Sequence, residues 1–134
     1  MTSGGNSFVL LELNKQAGTQ VILQDKLSII SELYFAGTNN KIVLGNQLAE
    51  FGAIASIFGF NNGNYFITNG SGFLRKLNLG ATPFLFPIGY DASTYNPVTL
   101  TENNLADTYG IRCLEHANTQ GGNGAAFSTG VVDA

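Results

Sequence analysis

Between Leu27 and Gly72 the chain repeats one phrase, and no other feature limits its folding choices as much. Short apolar runs, Leu27-Ser28-Ile29-Ile30, Leu33-Tyr34-Phe35, Lys41-Ile42-Val43-Leu44, Ile54-Ala55-Ser56-Ile57 and Tyr65-Phe66-Ile67-Thr68, alternate with corners rich in Gly and Asn. Each run is too short for a helix of normal length and too rich in β-branched and aromatic residues, so each predicts a strand. Gly and Asn tolerate the positive φ that a tight corner needs. The phrase begins at Phe8, Leu27, Leu48 and Phe73, with starts 19, 21 and 25 residues apart. A period near twenty with one or two small strands per pass is the pattern of a β-solenoid, in which a coil buries its apolar face only by stacking on the next. The spacing predicts an all-β chain: a short, right-handed β-helix-like solenoid over residues 1–80, then a partial β-sandwich-like cap over 81–134. An antiparallel meander closing into a sandwich gives a similar pattern and stands as the competing architecture.

The cap region reads differently. Phe84-Leu85-Phe86-Pro87-Ile88-Gly89 carries a proline that cannot donate to a sheet ladder, which places it at an edge or crossing. Two strands follow, Pro97 to Thr101 and Tyr109 to Glu115, with a turn at Glu102-Asn103-Asn104. Residues 118–130 are Gly-rich and predict a flexible loop before Val131-Val132. Two strands and an apolar stub cannot close a sandwich. The second half is therefore expected either to cap the solenoid as a hairpin or to be completed by further residues or by a strand from a neighbouring subunit.

Composition excludes several functions. Charged residues are 11% of the 134, against about 25% in an average domain, so Asn, Thr, Ser, Gln and Gly must make the surface, as in many extracellular β-proteins. The net charge is −3 and the longest basic run is Arg75-Lys76, so there is no stripe to displace counterions from nucleic acid. No apolar run approaches the length that spans a bilayer, and the start of the chain lacks the pattern of a signal peptide. Cys113 is the single cysteine, which rules out an intrachain disulfide. Its neighbours Arg112 and His116 are expected on the opposite strand face, so it reads as a structural thiol.

Candidate chemistry is sparse. His116 is the single histidine, and the nine carboxylates are scattered. Glycan hydrolysis needs two carboxylates about one bond, and only folding could bring such a pair together. Asp91 with Ser93 and Asn96 offers one charge, too little for a calcium loop. Tyr65, Tyr90 and Tyr95, with Asp91, are the candidates for a sugar-binding platform, since ring faces stack on apolar sugar faces. The alternative is that the tyrosines pack where the two halves meet. No cofactor and no metal is expected.

The run Asn64-Tyr65-Phe66-Ile67-Thr68-Asn69-Gly70-Ser71-Gly72-Phe73-Leu74-Arg75, with Phe84-Leu85-Phe86-Pro87-Ile88-Gly89 and Tyr95-Asn96-Pro97-Val98-Thr99-Leu100, resembles a recurrent module of large secreted surface proteins of Bacteroidetes. The resemblance covers about residues 20 to 134. It implies an adhesin-like or fibre-like module, exported by the type IX route, at the cell surface or outside the cell. It implies no reaction; homo-oligomers or filaments built by strand exchange are the expectation that the incomplete second half adds. A carbohydrate-binding module, or a β-helix enzyme that cleaves glycans, are the alternatives. The family text continues into a Trp-containing strand that this sequence lacks.

Overall fold

The computed structural model describes residues 1–115; His116, the Gly-rich loop at 118–130 and Val131-Val132 lie outside the described residues. Twelve strands and no helix make up this part: β1 (Ser7–Leu13), β2 (Gln20–Ile22), β3 (Leu27–Phe35), β4 (Lys41–Val43), β5 (Leu48–Phe51), β6 (Ser56–Phe58), β7 (Tyr65–Ile67), β8 (Phe73–Leu79), β9 (Phe84–Phe86), β10 (Ile88–Gly89), β11 (Val98–Leu100) and β12 (Asp107–Ile111).

The strands wind as a β-solenoid of about four turns. One wall runs β1-β3-β5-β8 and the other β2-β4-β7-β10, with every neighbour parallel. A meander would have paired its strands antiparallel, so that architecture is excluded. Parallel stacking puts like residues above like. Val21, Ile42, Phe66 and Ile88 form a single buried column through the second wall. Leu11, Leu33 and Ile57 stack likewise in the first, Leu33 and Ile57 buried and Leu11, on the end strand, partly so. Between the walls the ring of Phe66 meets Phe35 and Phe51 edge to face, with centroids 5.8 and 6.0 Å apart. Such contacts add about 1 kcal/mol each to the area they bury.

Two local readings change in three dimensions. The runs at Leu27 and Leu33 belong to one nine-residue strand, because Ser31 and Glu32 keep the in-and-out alternation of Leu27, Ile29, Leu33 and Phe35 instead of breaking it. The third coil is interrupted instead. Residues 52–55 bulge from the wall between β5 and β6, leaving Ile54 77% exposed at the tip. This insertion accounts for part of the drift in the repeat.

The expected boundary at residue 80 falls inside the fourth turn, which starts at β8 and closes only when β10 pairs with β7. Beyond it the chain caps the solenoid, and the expected hairpin between the last two strands does not form. Instead β11 pairs antiparallel with β9, and β12 pairs antiparallel with β8. Each finds a free strand edge on the last coil, and that satisfies more backbone groups than a hairpin standing alone in water.

On the outside, Glu50 accepts hydrogen bonds from Lys26 of the preceding coil and Arg75 of the following one, a charge ladder across three turns. Burial alone would raise the Glu50 carboxyl, but the hydrogen bonds and charges of Lys26 and Arg75 outweigh it and hold the group below the ordinary carboxylate range. A carboxyl held low in the folded state stabilises above its unfolded pKa, and that stability is lost as the pH falls through the folded value. Both cations are partly exposed, so the ladder contributes only about 1 kcal/mol. Melting temperatures taken from pH 7 down through pH 4 should fall, and Glu50→Gln should start lower at pH 7 and fall less steeply. Equal slopes in the two proteins would refute the ladder.

Candidate functional site

The end of the fourth coil gathers the residues singled out for binding. The chain leaves β10 through Tyr90 and turns sharply, because the Asp91 carboxylate collects the donors of the loop. Its Oδ1 accepts from the Ser93 amide (2.8 Å) and hydroxyl (2.9 Å), and from the Thr94 amide (2.9 Å) and hydroxyl (3.0 Å). Thr94 Oγ1 in turn accepts the amides of Tyr90 and Asp91, each at 3.1 Å. This is an Asx-type turn, closed by its own side chain. The Ser93 amide first, then the hydroxyls of Ser93 and Thr94, hold the Asp91 carboxyl below its ordinary range.

The tyrosines separate. Tyr65 is fully buried, so its part in the expected sugar platform is corrected: its ring lies 5.3 Å from that of Tyr95, and its hydroxyl donates to the Asp91 carbonyl at 2.8 Å. Strand alternation turns position 65 away from Phe66 and the space between the walls, and it is buried on that other face beneath Tyr95 and the loop that follows β10. Burial raises the phenol pKa of Tyr65 and of Tyr95, which is only partly exposed. Tyr90 stands at the rim, donating its hydroxyl to Glu115 at 2.9 Å, and that bond raises its pKa. Tyr65 with Tyr95 therefore fastens the loop to the coil, while Tyr90, Asp91 and Tyr95 keep some exposed surface.

Tyr90, Asp91, Thr94, Asn96, Cys113 and Glu115 line a cavity of about 330 Å³. Cys113 is partly buried and burial raises its thiol pKa, the opposite of what a nucleophile needs. Its backbone is the structural part: the Cys113 amide donates to Thr68 Oγ1 at 2.8 Å and ties the chain after β12 to the core. β12 ends at Ile111, short of the expected strand end at Glu115, so strand alternation does not govern Arg112 and Cys113.

Asp91 and Glu115 are the one carboxylate pair in this cavity. A general acid for glycan cleavage must stay protonated near neutral pH. Asp91 is pushed the other way, and its Oδ1 is saturated by the loop. Among the described residues no cluster of three or more His, Cys, Asp or Glu is placed to hold a metal ion.

Buried polar side chains escaped the sequence reading, Lys76 and Asn64 among them. Lys76 is 4% exposed and reaches beneath the 52–55 bulge, where its ammonium donates to the carbonyls of Gly52 and of Ala53 (2.6 Å) and lies 5.2 Å from the centre of the Phe84 ring. Asn64 lies at a corner, buried: Oδ1 accepts the amide of Asn40 at 2.8 Å, and Nδ2 donates to the carbonyls of Gly37 and Gly59 at 2.8 and 3.0 Å. The signal for Lys76 is its alternation with Leu74. None existed for Asn64, since Asn is common in exposed corners as well.

Compared with family models, with curated proteins and with solved structures, the chain matches none of them.

Proposed function

We propose that this chain is a non-enzymatic structural or adhesive module of the cell surface or extracellular space, one unit of a stalk or fibre. The observation that carries the reading is the filled interior: side chains stacked coil on coil occupy the space between the two walls. A coil whose neighbours cover both its faces has few places for a protease to pull out an extended segment, as a stalk outside the cell requires. The low-charge, Asn- and Thr-rich surface and the resemblance to secreted surface modules support the setting. Among the described residues no helix is long and apolar enough to cross a membrane.

Limited proteolysis followed by mass spectrometry tests this. A nonspecific protease should leave a core spanning residues 7–111 intact for hours at a temperature well below the melting point. Prompt cutting within the first three coils would sink the stalk reading.

Carbohydrate binding is the second reading, favoured by the open cavity beside Tyr90, Asp91 and Asn96. A glycan array separates it from a purely mechanical role: binding lost in Tyr90→Ala and kept in Tyr34→Ala, a tyrosine on the outside of β3, would establish it. The hydrogen bonds that hold the Asp91 carboxyl low count against it as the acid of a glycan-cleaving site.

A further inference from the structure

The third and fourth coils separate after Phe51. Up to that point β5 runs beside β8, and Phe51 is in register with Lys76. Beyond it residues 52–55 leave the wall, and when the coil resumes as β6 it pairs with β3 and with no strand of the fourth coil among the described residues. On the fourth coil Asn78 takes a left-handed φ of +48°, and Leu79 is already in register with Asp107 of β12. Between the two coils lies a cavity of about 410 Å³, a size that suits a small molecule.

Lys76 stands in the lining of this cavity and is 4% exposed. Its ammonium donates to the carbonyls of Gly52 and Ala53 and lies 5.2 Å from the centre of the Phe84 ring, and its third N–H meets no oxygen acceptor among the described residues. Carbonyl dipoles and a ring face solvate a cation without cancelling its charge. No carboxylate cancels it either. Glu50, on the neighbouring strand, is turned to the other face of the sheet by alternation, where Lys26 and Arg75 engage it. Burial lowers the Lys76 pKa, and no nearby acid raises it again. A buried ammonium without a counter-charge costs stability, and the cavity gives a counter-charge access to it.

We propose that this cavity binds a small monocarboxylate with an apolar body, its carboxylate set on the Lys76 ammonium. Ile54, Leu79, Pro83 and Phe84 supply apolar walls, and Asn78 and Thr82 bring an amide and a hydroxyl to the lining from exposed positions. One cation flanked by two carbonyls suits a single negative charge. A phosphate would set a second charge and more oxygens against the same carbonyls, and a neutral ligand would leave the ammonium uncompensated. The site goes beyond the structural-module reading and does not depend on it, since the cavity lies at the surface between coils and not in the filled interior.

Titration of the isotope-labelled whole chain with sodium benzoate near neutral pH, followed by amide NMR, tests it. Benzoate should move the amides of residues 52–56 and 78–84 along saturable curves, with a dissociation constant on the order of 1 mM for so small a ligand. Benzamide, of similar shape but uncharged, and inorganic phosphate should each bind at least about tenfold more weakly. Lys76→Met should lose the benzoate shifts while its amide spectrum elsewhere stays that of the folded protein. Thr82→Glu leaves the buried lysine intact and sets a carboxylate at the exposed rim. Whether that carboxylate pairs with Lys76 or repels the incoming anion, benzoate should weaken at least about tenfold with the melting temperature unchanged. The site is overturned by benzoate shifts that do not saturate by about 20 mM, that fall elsewhere on the coils, or that benzamide or phosphate reproduces at the same concentrations. Benzoate binding undiminished in Thr82→Glu would overturn it equally.

Discussion

Asn64→Ala should destabilise the protein by about 4 kcal/mol, the largest effect expected of any single side chain outside the apolar core. One amide here serves three backbone groups on two coils: the Asn40 N–H and the carbonyls of Gly37 and Gly59. The sheet cannot serve them, because the chain turns a corner there, with Gly59 at φ +69°. The buried Asn40 amide left without a partner costs about 1 to 3 kcal/mol, and the carbonyls of half-buried Gly37 and exposed Gly59 add less, since water can reach them. For a domain of this size that lowers the melting temperature by roughly 15 °C. Asn64→Asp sharpens the test. It keeps an acceptor for the Asn40 amide but sets a carboxylate oxygen against two carbonyls, so it should be at least as destabilised as Asn64→Ala at pH 7. Burial beside those carbonyls raises the new carboxyl's pKa, so its stability should partly return as the pH falls toward 4.5. A loss under about 1 kcal/mol in either variant would show that water replaces the amide.

Lys76→Met should cost about 2 kcal/mol, a balance of two opposed effects. Removing the ammonium strands the Ala53 carbonyl, at about 1 to 3 kcal/mol, and takes one of two donors from the Gly52 carbonyl, which keeps the Ala55 amide at 3.0 Å. It also removes the cost of burying a charge, and that offsets part of the loss. The methionine keeps most of the apolar stem, so little cavity forms. Lys26→Met, at a half-exposed lysine of the charge ladder, should cost under about 1 kcal/mol. The pH dependence carries the sign of the second effect. Burial lowers the Lys76 pKa, so the folded protein binds the proton less well than the unfolded chain, and stability from this group rises as the pH climbs toward the ordinary lysine value. The gap between wild type and Lys76→Met should therefore widen between about pH 8 and pH 10. Chemical denaturation at a series of pH values reads it directly, and a gap that narrows would mean the charge is better solvated than its burial implies.

Both residues show where sequence reasoning reached its limit. Leu27, Ile29, Leu33 and Phe35 announce their inward face by alternation alone, and the return of such runs about every twenty residues announces stacking. Lys76 obeys the same alternation, yet a lysine read by type belongs to solvent. It turns inward because four residues of the preceding coil leave the wall and expose carbonyls just above it. That gap exists only once coils three and four are aligned. Tyr65 is the complementary case. As one of three tyrosines near a polar loop it suggested a binding platform, but Tyr95 and the Asp91 loop close over it, and its hydroxyl holds the loop from below. Tyr90 was placed at the rim by the Asp91 turn, whose Asp-x-Ser-Thr text was in view but whose direction was not.

The periodic alternation of apolar residues and the Gly and Asn corners were enough, by themselves, to determine an all-β chain wound in stacked coils, because the face a strand residue takes depends only on local order. Register between coils, the inward lysine and the separate anchoring of β11 and β12 were decided by tertiary structure. Each depends on which backbone groups remain unpaired after residues more than twenty apart have met, and no stretch of sequence holds that information alone.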